Sequence, residues 1–235
     1  MPFSAVIFDF FGTLTPSTPT EIWDEHAARS AAPLGIPVRQ WRRALDASFP
    51  ERAVGALGDL PRTIRTLAGR CGVDPDDEAL AAATAARLAC QRELFTLRED
   101  ALDTLERLRR DGLRIGVLSD CTVELAETWP TLPLAPLVDA VVLSCEEGRR
   151  KPDPELFRKV ARDLGVPAGE CLYVGDGGGD ELSGATARGM TAVMLRAADW
   201  AVNDAHARED SWPGPFFPAL SDAVAAAGDP SLIGT

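Results

Sequence analysis

Apolar residues recur along this chain in two rhythms, and the two rhythms alternate. Short aliphatic and β-branched runs predict strands at Ser4–Phe10, Arg114–Ser119, Ala140–Ser144, Leu172–Gly175 and Ala192–Leu195. The first of them, apolar from Ala5 to Phe11 and broken only by Asp9, reads as a buried strand. Helical spacing appears between the runs. Asp100–Arg110 places Leu102, Leu105 and Leu108 on one face, Pro154–Leu164 begins with proline directly after Asp153, and Asp180–Arg188 ends at Gly189, a C-cap residue. Strands alternating with helices predict an α/β fold with a Rossmann-like parallel sheet core.

One interval breaks the alternation. From Thr15 to Leu97 there is no strand pattern, and helices are predicted near Glu21–Ala31, Val38–Phe49, Asp59–Cys71 and Asp76–Leu97. The chain is therefore expected to divide into a core of residues 1–14 and 98–235 and a mainly helical cap of residues 15–97. The Thr15–Thr20 stretch, with Pro16 and Pro19, reads as one hinge and Thr96–Glu99 as the other. An insert at this point would sit over the carboxyl ends of the strands, where open α/β sheets bind ligands. The tail from Trp200, with Trp212-Pro213-Gly214-Pro215-Phe216-Phe217, reads as a surface loop docked on the core.

Composition narrows the class. The 235 residues are long enough for an α/β domain and a smaller insert, and 46% hydrophobic residues is a globular value. The formal net charge of −12 opposes binding to nucleic acid or an anionic membrane surface. An anionic substrate would need local cations. No run of about 18 apolar residues is present, as a membrane-spanning helix would require, and Met1-Pro2-Phe3-Ser4 lacks a basic leader. The five cysteines are widely spaced with no Cys-x-x-Cys, so reduced packing thiols in a cytoplasmic protein are expected. The oligomeric state is not legible.

Four polar clusters fall near strand ends: Asp9-Phe10-Phe11-Gly12-Thr13-Leu14-Thr15, Ser119-Asp120, Lys151-Pro152-Asp153-Pro154, and Gly175-Asp176-Gly177-Gly178-Gly179-Asp180. A carboxylate at the end of a buried strand is costly unless it has a task. In order and spacing these clusters resemble the haloacid dehalogenase superfamily, in its members with a helical cap after the first strand. The resemblance implies a hydrolase in which Asp9 is a nucleophile forming a covalent aspartyl intermediate. It implies catalytic roles for Ser119 and Lys151, and a substrate lined by Gly12, Thr13, Ser119, Asp120 and Lys151. It also implies Mg2+ held by Asp9, Asp176, Asp180 and the backbone carbonyl of Phe11. An all-oxygen site suits magnesium, and the three glycines would let the backbone turn both acids to one point. The expected partner is a small phosphorylated metabolite.

One position departs from the phosphatase pattern. Members with that activity usually carry a second aspartate two residues after the nucleophile, and here that residue is Phe11. Loss of a general acid/base costs about 10² to 10⁴ in rate, roughly 3–5 kcal/mol. Phe11 points toward a metal-independent 2-haloacid dehalogenase, in which an aromatic residue fills this place. The acidic loop points toward phosphorus chemistry, and a carboxylate approaching phosphate needs cations more than one approaching an alkyl halide. A third reading is a non-catalytic or strongly impaired member that binds a ligand or partner. A Schiff-base mechanism from the cap is disfavoured, because no lysine lies between Thr15 and Leu97. His26 could supply the missing acid/base from the cap, and Arg29, Arg39, Arg42 or Arg43 could meet a substrate anion.

Overall fold

A computed structural model describes residues 3–200 and 208–225. Met1 and Pro2, and the rest of the tail, lie outside the described residues. Six parallel strands form one sheet in the order β3-β2-β1-β4-β5-β6. They are β1 (Ala5–Phe8), β2 (Arg114–Ser119), β3 (Ala140–Leu143), β4 (Cys171–Gly175), β5 (Thr191–Leu195) and β6 (Phe216–Phe217). β1 is central and buried on both faces. Val6 and Phe8 join Leu105, Ile115 and Leu220 on one side, while Ala5 and Ile7 join Val160, Leu164 and Tyr173 on the other. This explains the continuous apolar run: a strand covered on both faces has no polar face to show.

The first strand is shorter than expected. Asp9 still donates its backbone N–H to Val174 O at 2.9 Å, but Phe10–Leu14 then turns as an irregular helical segment, with Gly12 at φ 77°. The reading of Phe216 and Phe217 as loop is corrected, since they pair with Met194 and Leu195 as an edge strand. Two residues among prolines are too few to show a strand period.

Between β1 and β2 the chain is helical: α1 (Thr20–Ala31), α2 (Val38–Ala47), α3 (Phe49–Arg52), α4 (Leu60–Arg70) and α5 (Asp77–Glu93). Asp59 and Asp76 cap α4 and α5 by accepting the N–H groups of Arg62 and Ala79. The insert has its own apolar cluster, with Ala27, Trp41, Leu45, Ile64 and Leu67 among its members. The helix expected over Val38–Phe49 divides at Ser48, where Pro50 cannot donate the backbone bond that would continue α2. The loop after α3 meets the sheet side directly, as Ser144 Oγ donates to Ala53 O at 2.6 Å.

After the insert come α6 (Ala101–Arg110), α7 (Val123–Thr128), α8 (Ser144–Glu147), α9 (Pro154–Leu164), α10 (Glu181–Thr186) and α11 (Leu220–Ala225). α6 and α11 cover one face of the sheet, α9 and α10 the other. Among the described residues no helix is long and apolar enough to cross a membrane, and all five cysteines are free.

Candidate active site

The carboxyl end of β1 is a switch point, because the chain leaves it toward β2 on one side and finds β4 on the other. Asp9 stands there, buried. Gly12 lies in the left-handed region, and a Cβ on it would strike Asp176 Oδ2. Glycine is thus required twice over, by backbone angle and by the close approach of the acidic loop.

Lys151 is the hub of the site. Its Nζ donates to Asp9 Oδ1 at 2.6 Å and to Glu181 Oε2 at 2.5 Å. Its own backbone N–H donates to Asp120 Oδ1 at 2.9 Å, and Arg150 Nε lies 3.3 Å from Asp120 Oδ2. Asp120, at the end of β2, therefore fixes the loop that carries Lys151. Glu181 also accepts from Tyr173 Oη at 2.8 Å and from Gly177 N at 2.9 Å. Gly175 leaves room for it, since a Cβ there would overlap the Glu181 carboxylate.

Asp9, Asp176 and Glu181 each present a carboxylate oxygen within 4.8 Å of the others. Asp176 accepts from Gly178 N at 3.0 Å, and its Oδ2 lies 3.1 Å from the Arg208 guanidinium. Three buried carboxylates thus face two cations. Burial raises Asp9 to about 6 against the pull of Lys151, with the Asp176 charge adding to the rise. Burial lifts Glu181 to about 8, again against Lys151, with Asp9 and Asp176 contributing. Burial opposes the charge on Lys151, but Asp9 and Glu181 more than offset it and hold its proton above the usual range. All three shifts express one condition, an excess of negative charge in a dry site.

The expected residues are placed in three ways. Asp9, Asp120, Lys151 and Asp176 come together around a cavity of about 20 Å³ that Phe11, Gly179 and Arg208 also line. Ser119, next to Asp120 in sequence, and Thr13 are fully buried, and their hydroxyls have no hydrogen-bond partner among the described residues. Asp180 is placed differently from the expectation. It is exposed, sits at φ 54° before α10, and stands outside the carboxylate cluster. Glu181, which sequence reasoning passed over, takes that place. It opens α10, and helical side chains lean toward the helix N-terminus, which returns its carboxylate to the loop and to Lys151. Arg208 was also missed, and nothing in the tail sequence signals it. It is held by the pairing of Gly178 with Arg208 and by Glu209, whose carboxylate accepts from Leu182 N and Ser183 N at the start of α10.

His26 is buried inside the insert, 3.1 Å from Glu93 Oε2, and lines neither this cavity nor its neighbour. That neighbour, a cavity of about 330 Å³, lies at the seam of insert and sheet and shares Phe11 and Asp120 with the smaller one. Of the four cap arginines considered from sequence, only Arg42 lines it, bonded to Asp46 and Asp24. Arg52 and Arg87 line it as well.

Comparison with known proteins identifies the family and the fold. A family model described as haloacid dehalogenase-like hydrolase matches residues 3–188. A glyceraldehyde 3-phosphate phosphatase of Methanopyrus kandleri is 32% identical over 82% of this chain and 83% of its own. The crystal structure of a 2-haloacid dehalogenase from Pseudomonas syringae pv. Tomato DC3000 superposes with a TM-score of 0.68 at 25% identity, covering 95% of this chain and 98% of that one. A HAD family enzyme from Bacteroides thetaiotaomicron, crystallised with magnesium and inorganic phosphate, shares the fold with a TM-score of 0.63 at 18% identity, over 83% of this chain and 96% of that one.

Proposed function

Since the chain belongs to the haloacid dehalogenase-like hydrolases, we propose that it is a magnesium-dependent phosphatase that moves a phosphoryl group from a small metabolite to Asp9 and then to water. The observation that carries this reading is the buried Asp9–Lys151 pair beside the Asp176 and Glu181 carboxylates. A simple alkyl halide carries no charge at its reacting carbon and would not call for so many acids.

The donor set suits magnesium, being all oxygen. Asp9 and Asp176 would hold the ion with the carbonyl of Phe11, while Glu181, whose oxygens already accept from Lys151, Tyr173 and Gly177, anchors the lysine. Asp180 stands outside this set. Bound magnesium would offset the repulsion between carboxylate and phosphate, which is about 4 kcal/mol per charge pair at 4 Å and an effective dielectric of 20.

The chain's own residues supply the rest. Lys151 holds Oδ1 of Asp9, leaving Oδ2 to attack phosphorus as the bond to the leaving oxygen breaks. The Ser119 and Thr13 hydroxyls, unpartnered among the described residues, are donors for the transferring oxygens. Water then attacks the aspartyl phosphate, releasing phosphate and restoring the carboxylate. Phe11 offers no proton to the leaving group, so substrates whose leaving group is stable as an anion are favoured.

The test is phosphate release from acyl, aryl and alkyl phosphates, with and without magnesium, comparing wild type with Asp9→Asn. Expected are magnesium-dependent release, a rate order acyl > aryl > alkyl, and a loss of at least about 10³ in the variant. A second reading, 2-haloacid dehalogenase, is favoured by Phe11 at the cavity and by Arg208 already seated on Asp176. Halide release that survives EDTA, with no phosphate release, would establish it and overturn the first.

A further inference from the structure

Arg52 lines the seam cavity without an ion pair of its own among the described residues. Arg42 pairs with Asp24 and Asp46, Arg87 with Glu124 at 3.0 Å, and Asp120 with Arg150. Arg52 has no carboxylate within ion-pair reach among the described residues, although it is only 7% exposed. Its Nε donates to Ser48 Oγ at 3.1 Å and its Nη2 to Leu45 O at 2.8 Å, both neutral acceptors, and among the described residues its Nη1 makes no hydrogen bond. Trp23 lines the same cavity with a buried indole N–H that also lacks a partner among the described residues. Glu124 and Asp46 act on Arg52 only from beyond ion-pair distance, so its buried guanidinium is left without a direct anionic contact, which burial disfavours. Arg52 is also held in place, because the next residue, Ala53, accepts from Ser144 Oγ on the sheet side.

The two cavities meet at Phe11 and Asp120. A molecule with its phosphoryl group at Asp9 and its body passing Phe11 would enter the cavity that Arg52 and Trp23 line. We propose that Arg52, with the Trp23 indole, forms a second anion subsite, so that preferred substrates carry a carboxylate or a second phosphate at the end remote from the transferred phosphoryl group. The proposal rests on the phosphatase reading for the orientation of the substrate, but the subsite itself can be measured without turnover.

Calorimetry with the Asp9→Asn protein in magnesium would compare three ligands of similar length: 3-phosphoglycerate, 1,3-propanediol bisphosphate, and glycerol 3-phosphate as the neutral-ended reference. At least one of the two anionic-ended ligands should bind about tenfold or more tighter than the reference, and the larger gap identifies carboxylate or phosphate. The gap should close in Asp9→Asn/Arg52→Gln and persist in Asp9→Asn/Arg52→Lys. Equal affinity for all three ligands, or a gap that survives Arg52→Gln, overturns the proposal. The ligand comparison with Arg52 intact is decisive by itself, so a poorly folding variant does not shelter the idea. A gap present in the binding data while wild type releases no phosphate would remove the phosphatase reading and leave the subsite standing.

Discussion

Two charge clusters lie on either side of Phe11, and they are built differently. At the end of β1 three carboxylates, Asp9, Asp176 and Glu181, meet two cations, Lys151 and Arg208. At the seam, Arg42, Arg52 and Arg87 meet Asp24, Asp46 and Glu124, and Arg52 is the cation of the three that makes no ion pair among the described residues. The first cluster binds protons more tightly, with Asp9 raised to about 6 and Glu181 to about 8. The second holds them more loosely. Burial, with the charge of Arg87, brings Arg52 down to about 10, while Glu124 is held low by Arg87 and Arg52 against its burial. Burial drives the shifts of Asp9, Glu181 and Arg52, and partners reverse it only at Lys151 and Glu124. A site short of cations invites a metal, and a buried cation without an ion pair invites an acidic ligand.

The comparison can be broken most severely at the seam. Arg87→Met would leave Glu124 fully buried without its 3.0 Å partner, and loss of one member of a buried pair costs about 3–5 kcal/mol. Urea unfolding should show a correspondingly lower midpoint at unchanged slope. An unaltered midpoint would mean that Arg52 alone can neutralise Glu124.

At the other cluster, Arg208→Gln removes a cation 3.1 Å from Asp176 Oδ2. The remaining carboxylates should then bind magnesium about tenfold more tightly, about 1.4 kcal/mol. Calorimetry without substrate reads this directly, and weaker binding in the variant would show that Arg208 supports the site rather than competing for it.

The smallest effect concerns a group outside both clusters. Burial lowers the pKa of His26 from its ordinary 6.5 despite the neighbouring Glu93, so the fold prefers the neutral ring. Its contribution to stability is complete above about pH 6.5 and is lost as pH falls below that value. Relative to wild type, His26→Gln should show a shallower decline in stability between pH 7 and pH 5. Parallel curves would mean that Glu93 compensates the protonated ring in full.

Much of the framework is readable from local pattern. The apolar runs and helical spacings foretell β1 to β5, and the polar residue at each strand end foretells which side chains gather, because parallel strands all deliver their carboxyl ends to one edge of the sheet. Asp9, Asp120, Lys151 and Asp176 meet there for that reason. The long helical interval between β1 and β2 is equally visible, since its spacing contains no strand period.

Other features belong to the tertiary structure alone. Asp180 and Glu181 are adjacent acids, but successive residues at a helix start point about 100° apart, and only the left-handed turn at Asp180 decides that Glu181 faces inward. Arg208 reaches Asp176 from a distant tail, β6 exists only because β5 offers an edge, and Arg52 of the insert comes near Glu124 of α7 only through the fold. Sequence by itself determined the elements, the edge at which chemistry gathers and the family. Which charges are paired there, and which are left over, depends on long-range contacts between segments that no local period encodes.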